Sequence, residues 1–184
     1  MRDIAPTNAR DRIPTRSGEL WHGGNPYGYG QGRRTMPFAD DELKSFDLVV
    51  NATFELPWPE SGDALYMRVA LDDSDRVFAN AEIAEQVRAT ASLVAGALTM
   101  GWRVLVHCNM GLNRSGVVCA RALMYMGMTA DDAVALLRAE RHPLVLFNAS
   151  FVRWLLEEDG TAITAETSAI ANAPTQEELE AYFG

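Results

Sequence analysis

The sequence predicts a single α/β domain, with a central, mostly parallel sheet flanked by helices on both faces. Residues 48–53 (LVVNAT) and 102–107 (WRVLVH) are short apolar segments typical of buried strands. Between them, residues 79–100 carry apolar side chains at the spacing of one helical face. Strands that alternate with helices favour a sheet covered by helices. The 184 residues are enough for one domain with a substantial core.

The remaining elements follow from the same patterns, together with turn and capping residues. The other predicted elements are, in chain order, a strand at 19–22, a short helix at 40–46, a strand at 64–71, and helices at 114–126, 129–140 and 148–158. Thr129 followed by Asp132 resembles a capping box at the start of the helix predicted at 129–140. A Gly- and Tyr-rich loop follows residue 22, and a Pro-rich loop lies near residue 58.

Composition divides the chain into three parts. Residues 1–18 are polar with prolines and predict an irregular lead, residues 19–159 form the main domain, and residues 160–184 form a loosely held tail. One short helix is expected within that tail, at 176–183 (QEELEAYF). No internal repeat is visible, which agrees with one globular unit.

The charge and cysteine content exclude several classes of protein. The formal net charge is −9, so the chain has no general attraction to nucleic acid or anionic lipid. The amino terminus lacks the apolar segment of a signal peptide, and no segment has the length of a membrane span. Only Cys108 and Cys119 could pair, and their spacing argues against it. We expect a cytoplasmic, monomeric protein without cofactor or metal.

The segment 104–116 (VLVHCNMGLNRSG) carries the chemistry. A buried strand delivers Cys108 to the start of a helix, and the connecting loop contains Gly111. A helix start presents unpaired N–H groups and the positive end of the helix dipole, which suit a phosphate dianion. The same field favours a thiolate over a thiol. Arg114 ends the loop, and its planar guanidinium matches two phosphate oxygens.

These residues predict specific roles around a phosphate. Cys108 is the expected nucleophile and Arg114 the phosphate clamp, while the Ser115 hydroxyl donates to sulfur when a phosphocysteine breaks down. His107 is expected to fix the loop through backbone hydrogen bonds rather than to act as a base. An inert buried cysteine is the alternative, but it does not account for Cys, Gly, Arg and Ser together. The loop residues expected to bind phosphate oxygens are Asn109, Met110, Gly111, Leu112, Asn113 and Arg114.

The same residues resemble a known signature. His107 and Cys108, five further residues, and then Arg114 and Ser115 are similar to the HCX5R[ST] motif of the cysteine-based protein tyrosine phosphatase superfamily. The resemblance extends over roughly residues 18–158 and is best with the dual-specificity (VH1-like) branch. That branch implies a fold with a central parallel sheet and a two-step hydrolysis of phosphate monoesters without metal.

Flanking segments support the resemblance in the expected order. Residues 20–23 (LWHG) are similar to the opening strand of the dual-specificity branch, and 43–53 to its next helix and strand. Asn148, Phe151 and Leu155 match the trailing Asn-x-x-Phe-x-x-x-Leu helix of the family. Asn148 is therefore expected to support the loop.

The resemblance also implies a general acid about thirty residues before the cysteine. The family pattern of two apolar residues, a spacer and Asp places this acid at Asp73, with Asp72 and Asp75 as alternatives. It would protonate the departing oxygen and then activate water.

Substrate class is left between two branches. A short chain without a phosphotyrosine-recognition segment implies a shallow cleft for phosphotyrosine, phosphoserine and phosphothreonine proteins. The Gly-x-Asn-Arg sequence that ends at Arg114 is closer to that of RNA 5′-triphosphatases, so an RNA 5′ end is the alternative partner. That branch usually has Thr in place of Ser115. The acidic segment at 72–75 also argues against RNA. A phosphoinositide phosphatase usually has Lys in a loop such as 109–113, and here there is none. A non-catalytic phosphate-binding module and a rhodanese-like transferase are weaker alternatives.

Overall fold

The computed structural model describes residues 10–25, 43–54 and 63–160. Within these ranges the chain forms five strands, four α-helices and one turn of 3-10 helix. The strands are β1 (Arg10–Ile13), β2 (Glu19–Gly23), β3 (Leu48–Asn51), β4 (Leu65–Arg68) and β5 (Arg103–His107). The helices are α1 (Ala81–Thr99), α2 (Arg114–Tyr125), α3 (Ala130–Glu140) and α4 (Ala149–Glu158), and Val77–Ala79 form the 3-10 turn before α1.

The strands form one sheet in the order β1-β2-β5-β3-β4. The pairs β2–β5, β5–β3 and β3–β4 are parallel, and only β1–β2 is antiparallel. The predicted α/β architecture with a mostly parallel sheet is confirmed. Strand β5, which precedes Cys108, lies at the centre, and both its neighbours are parallel to it, so its carboxyl end is surrounded by other strand ends.

Two apolar layers cover the sheet, because alternate strand residues face opposite sides. The larger layer buries Val50, Val104 and Val106 against residues of all four described α-helices. The smaller layer, on the other face, contains Leu43 and Phe46 together with sheet residues such as Leu105. Burial of the first layer holds α2 against β5, which fixes the loop between them.

The first strand corrects the predicted irregular lead. Arg10–Ile13 pair with β2 as an antiparallel edge strand, from Arg10 opposite Gly23 to Ile13 opposite Leu20. Three of its four residues are charged, so its composition resembled a solvated segment, while Ile13 is fully buried. Charged side chains are common on edge strands because they oppose pairing with other chains.

The predicted cap at Thr129 is confirmed, and two further helices begin with an asparagine cap. Asn80, Thr129 and Asn148 cap α1, α3 and α4 with side-chain oxygens that accept from the N–H groups of Glu82, Asp132 and Ser150. The predicted strand at 64–71 is shorter, at Leu65–Arg68. The predicted tail helix at 176–183, residues 40–42 of the predicted short helix at 40–46 and most of both predicted loops lie outside the described residues.

Candidate active site

The carboxyl ends of the four parallel strands meet in one row of the sheet. Gly23, His107, Asn51 and Arg68 are register partners across β2, β5, β3 and β4. Loops at the carboxyl ends of parallel strands are the usual place for ligands in α/β folds. The loop between β5 and α2, residues 108–113, leaves the sheet at the centre of this row.

Two donors point at the sulfur of Cys108. The backbone N–H of Gly111 lies 3.3 Å from Cys108 Sγ, and the Ser115 hydroxyl lies 3.2 Å from it. The side chain is nearly buried, with 2% of its surface exposed. Both groups donate to sulfur, so they can stabilise negative charge that develops on it during a reaction.

Gly111 is required by the shape of the loop. Its φ of +68° is in the left-handed region, and a Cβ built there would lie 2.5 Å from backbone atoms of both Gly23 and Gly24. The loop therefore closes onto the end of β2. A second contact in the same place, from the Asn25 N–H to the Asn109 carbonyl at 2.8 Å, fixes the approach.

The outer side of the loop is held by α3 and by the segment that follows it. The Arg141 guanidinium donates to the Met110 carbonyl at 3.4 Å and pairs with Asp11 at 2.8 Å. The Leu146 N–H donates to the Leu112 carbonyl at 3.3 Å, from a residue whose own φ is +59°. The Met110 and Leu112 carbonyls are thus bonded from outside the loop, which holds its backbone in place.

Arg114 begins α2, directly after the loop. Its Nε is buried and has no hydrogen-bond partner among the described residues. An anion bound beside the loop would satisfy this donor. The N-terminus of a helix adds a further attraction for negative charge.

Asp73 is the member of the 72–75 segment that contacts the loop. The Asn113 side-chain amide donates to Asp73 Oδ2 at 3.2 Å, and the Asn148 amide donates to Asp73 Oδ1 at 3.3 Å. Asn113 is itself held by the Asn148 N–H, which donates to its Oδ1 at 3.1 Å. No hydrogen bond or ion pair links Asp72 or Asp75 to any residue in the described ranges.

Two buried histidines flank the loop. Burial and the charge on Arg68 together lower the pKa of His107 to about 4, although a hydrogen bond with the Cys108 backbone acts in the opposite direction. Burial and the nearby Arg141 lower the pKa of His22 to about 3. Both rings are therefore neutral at physiological pH.

His22 is a site residue that the sequence did not single out, since nothing near it in the chain indicates a catalytic partner. Its Nε2 lies 2.9 Å from the Ser115 hydroxyl oxygen, which in turn contacts Cys108 Sγ. One signal was available: His22 immediately precedes the strand-ending glycine in the segment similar to a strand of the phosphatase fold. Its register partner on the adjacent strand β5 is Val106, two residues before Cys108.

The second cysteine lies away from this chemistry. Cys119 is fully buried in the core of α2, and burial raises its pKa well above the usual range. Neither cysteine forms a disulfide. Within the described ranges there is no cluster of three His, Cys, Asp or Glu that could hold a metal, and no helix with the length and hydropathy to cross a membrane.

Comparison with known proteins matches residues 30–160 to the model of the dual specificity phosphatase catalytic domain. This match covers most of the chain and includes the whole Cys108 loop. The chain belongs to the dual specificity phosphatase family.

Similar dual specificity phosphatases include dual specificity protein phosphatase 1-B of Xenopus laevis, 26% identical over 134 residues, or 73% of this chain and 35% of that protein. Mpk3 of Drosophila melanogaster is 31% identical over 130 residues, covering 68% of this chain and 30% of its own length. The chain thus spans about a third of the length of these relatives. Human DUSP28 has the same fold, with a TM-score of 0.62 at 22% identity over 82% of this chain and 93% of that chain.

Proposed function

We propose that this chain is a cysteine-dependent protein phosphatase that hydrolyses phosphate monoesters through a phosphocysteine intermediate. The observation that carries the proposal is the paired donation to Cys108 Sγ, from Gly111 and Ser115, at the start of α2. A sulfur so placed is a nucleophile below phosphorus, with the loop amides and Arg114 around the equatorial oxygens.

The first step transfers the phosphoryl group to the enzyme. Cys108 Sγ forms a bond to phosphorus as the bond from phosphorus to the substrate oxygen breaks. Asp73 gives its proton to that departing oxygen, so the product leaves as a neutral alcohol or phenol. The bonds from Asn113 and Asn148 support this assignment, because they hold the Asp73 carboxyl beside the loop.

The second step releases phosphate. Water attacks phosphorus, Asp73 accepts a proton from that water, and the S–P bond breaks to return a thiolate. The Ser115 hydroxyl can donate a hydrogen bond to the departing sulfur, which lies 3.2 Å from its oxygen. His107 and Asn148 support the loop from the sheet side and from the start of α4. No step in this scheme requires a metal.

Protein phosphomonoesters are the proposed substrates. The relatives named above are dual specificity protein phosphatases, which supports phosphotyrosine, phosphoserine and phosphothreonine side chains as the substrate class. The cytoplasmic, monomeric state remains a prediction from sequence. Asn113, whose presence suggested an RNA 5′-triphosphatase, has a role within the site that involves no RNA, namely holding Asp73.

A side-by-side assay tests this proposal. We expect turnover of p-nitrophenyl phosphate and of phosphopeptides, and no release of phosphate from triphosphate-ended RNA. Cys108→Ser should lower kcat by about 10⁴-fold or more, because a serine hydroxyl is not ionised in this setting. Activity on RNA alone would favour the alternative branch. Full activity of Cys108→Ser would disprove the cysteine mechanism.

A further inference from the structure

We propose that His22 is a positioning residue that holds the Ser115 hydroxyl in the orientation that donates to Cys108. The inference rests on the proposed function, and it adds a residue from β2 to the catalytic apparatus. Three groups from three elements form one hydrogen-bonded chain. His22 Nε2 lies 2.9 Å from Ser115 Oγ, which lies 3.2 Å from Cys108 Sγ.

A count of protons assigns the direction of each bond. The Ser115 hydroxyl has one hydrogen, and a Cys108 thiolate has none, so the hydroxyl must be the donor to sulfur. The Ser115 oxygen is then left as an acceptor toward His22. Its partner must be an N–H, which places the ring proton of His22 on Nε2.

The other ring nitrogen supports the same assignment. His22 Nδ1 is buried and has no hydrogen-bond partner in the part of the chain that the structure describes. The opposite tautomer would bury an N–H without an acceptor, which costs more free energy than leaving a ring lone pair unpaired. A doubly protonated ring is also disfavoured, because His22 is fully buried near Arg141.

Position in the sheet explains how a residue 93 positions away from Ser115 reaches it. His22 is on the same face of β2 as Leu20, which packs in the larger apolar layer below the helices. Ser115 lies in the first turn of α2, on that same side of the sheet. A fixed, neutral donor therefore lies beneath the hydroxyl, where it cannot compete with sulfur for the hydroxyl hydrogen.

The expected consequence falls mainly on the second step. When the phosphocysteine breaks down, sulfur leaves as a thiolate, and an oriented hydroxyl stabilises the developing charge. Without the His22 donor, the Ser115 hydroxyl is free to rotate toward other acceptors. Breakdown of the intermediate should then slow by about tenfold, the usual scale for one hydrogen bond to a charged group.

A set of variants measured by rapid-quench kinetics tests this. His22→Leu should slow phosphocysteine hydrolysis and kcat about tenfold on p-nitrophenyl phosphate, with a smaller change in kcat/KM. His22→Gln, whose amide nitrogen can occupy the place of Nε2, should recover most of the rate. His22→Asn is the matched control, because its shorter amide reaches only the place of Nδ1. Equal rates for the Gln and Asn variants would overturn the proposal.

A double-mutant cycle separates positioning from a packing effect. Ser115→Ala should slow the same step, and adding His22→Leu to Ser115→Ala should cause little further loss, because His22 acts through the hydroxyl. An undiminished effect of His22→Leu on the Ser115→Ala background would refute the chain.

The wild-type protein provides a test that does not depend on variant folding. Nitrogen NMR of histidine-labelled protein should find His22 as the neutral Nε2–H tautomer, and a proton on Nδ1 would overturn the inference. If the wild type turns over no phosphoester, the proposed function fails, whereas the tautomer still decides the hydrogen-bond chain by itself.

Discussion

Asn113 donates a hydrogen bond from its side-chain amide to Asp73 Oδ2 at 3.2 Å, which joins the loop at 108–113 to the segment that carries the proposed general acid. Asn113 immediately precedes Arg114, so the residue that contacts the proposed acid adjoins the expected phosphate clamp. Asn148 completes the arrangement from the start of α4, with bonds to both Asp73 and Asn113. The position of the carboxyl is therefore set jointly by the loop and by the start of α4.

The first prediction concerns the identity of the acid. Asp73→Asn should lower kcat on a phosphotyrosine peptide by about 100-fold, because the departing oxygen is no longer protonated. The loss should be much smaller on an aryl phosphate with a more acidic phenol, which needs little protonation. Asp72→Asn and Asp75→Asn are the matched controls, and each should stay within about twofold of wild type. A larger loss in either control would move the acid.

The second prediction concerns Asn113. Asn113→Ala removes the donor to Asp73 and the acceptor for Asn148, so the carboxyl should be less well placed, and kcat on a phosphotyrosine peptide should fall by about 3- to 10-fold. On the Asp73→Asn background the same change should have little effect, since the acid is already lost. Additive losses in the double variant would contradict a role through Asp73.

How much of this site the sequence could predict depends on how far apart its parts lie in the chain. The proposed nucleophile, the proposed clamp and the Ser115 donor occupy one continuous segment, so local spacing and the chemistry of a helix start were enough to predict them. The family pattern placed the acid at Asp73 but left Asp72 and Asp75 as alternatives, because the choice among three carboxyls depends on side-chain contacts with Asn113 and Asn148. His22 depends on strand register, which a single sequence does not encode visibly.

The fold shows the same division. The buried strands β3 and β5 and the capped helices have strong local patterns, and their positions were predicted closely. The edge strand β1 was not, because its stability comes from backbone pairing with β2 while its charged side chains mimic a solvated segment. Elements stabilised by pairing alone leave little trace in composition.

The third prediction tests the closure of the loop onto β2. Gly111→Ala would place a Cβ 2.5 Å from the Gly23 and Gly24 backbone at a φ of +68°, so the loop cannot keep its shape. We expect loss of inhibition by tungstate, a phosphate-like oxyanion, and a fall of about 1–3 kcal/mol in the free energy of unfolding.

The matched control is Gly96→Ala, an exposed position in α1 where a Cβ would meet nothing within 4 Å. That change should raise the free energy of unfolding by about 0.5–1 kcal/mol, since alanine favours a helix, and should leave tungstate inhibition unchanged. Tungstate inhibition of Gly111→Ala equal to wild type would show that the loop tolerates the substitution.

The fourth prediction follows from the buried histidines. The pKa of His22 is about 3 and that of His107 about 4 in the folded protein, against an ordinary value of 6.5. Above pH 6.5 each of these rings is neutral in both the folded and the unfolded chain, so neither lowers the free energy of unfolding. As the pH falls from 6.5 toward 4, the unfolded chain binds protons that the folded protein excludes, so the free energy of unfolding must decrease.

The decrease should be on the order of 3 kcal/mol for each of these histidines by pH 4, and urea unfolding at several pH values measures it. His22→Gln should make the dependence on pH shallower between 6.5 and 4, because its amide does not titrate. His142→Asn should change the pH dependence less. The His142 ring is only partly buried, so burial lowers its pKa less than it lowers that of His22. An unchanged pH dependence in His22→Gln would mean that His22 is charged or exposed in the folded protein.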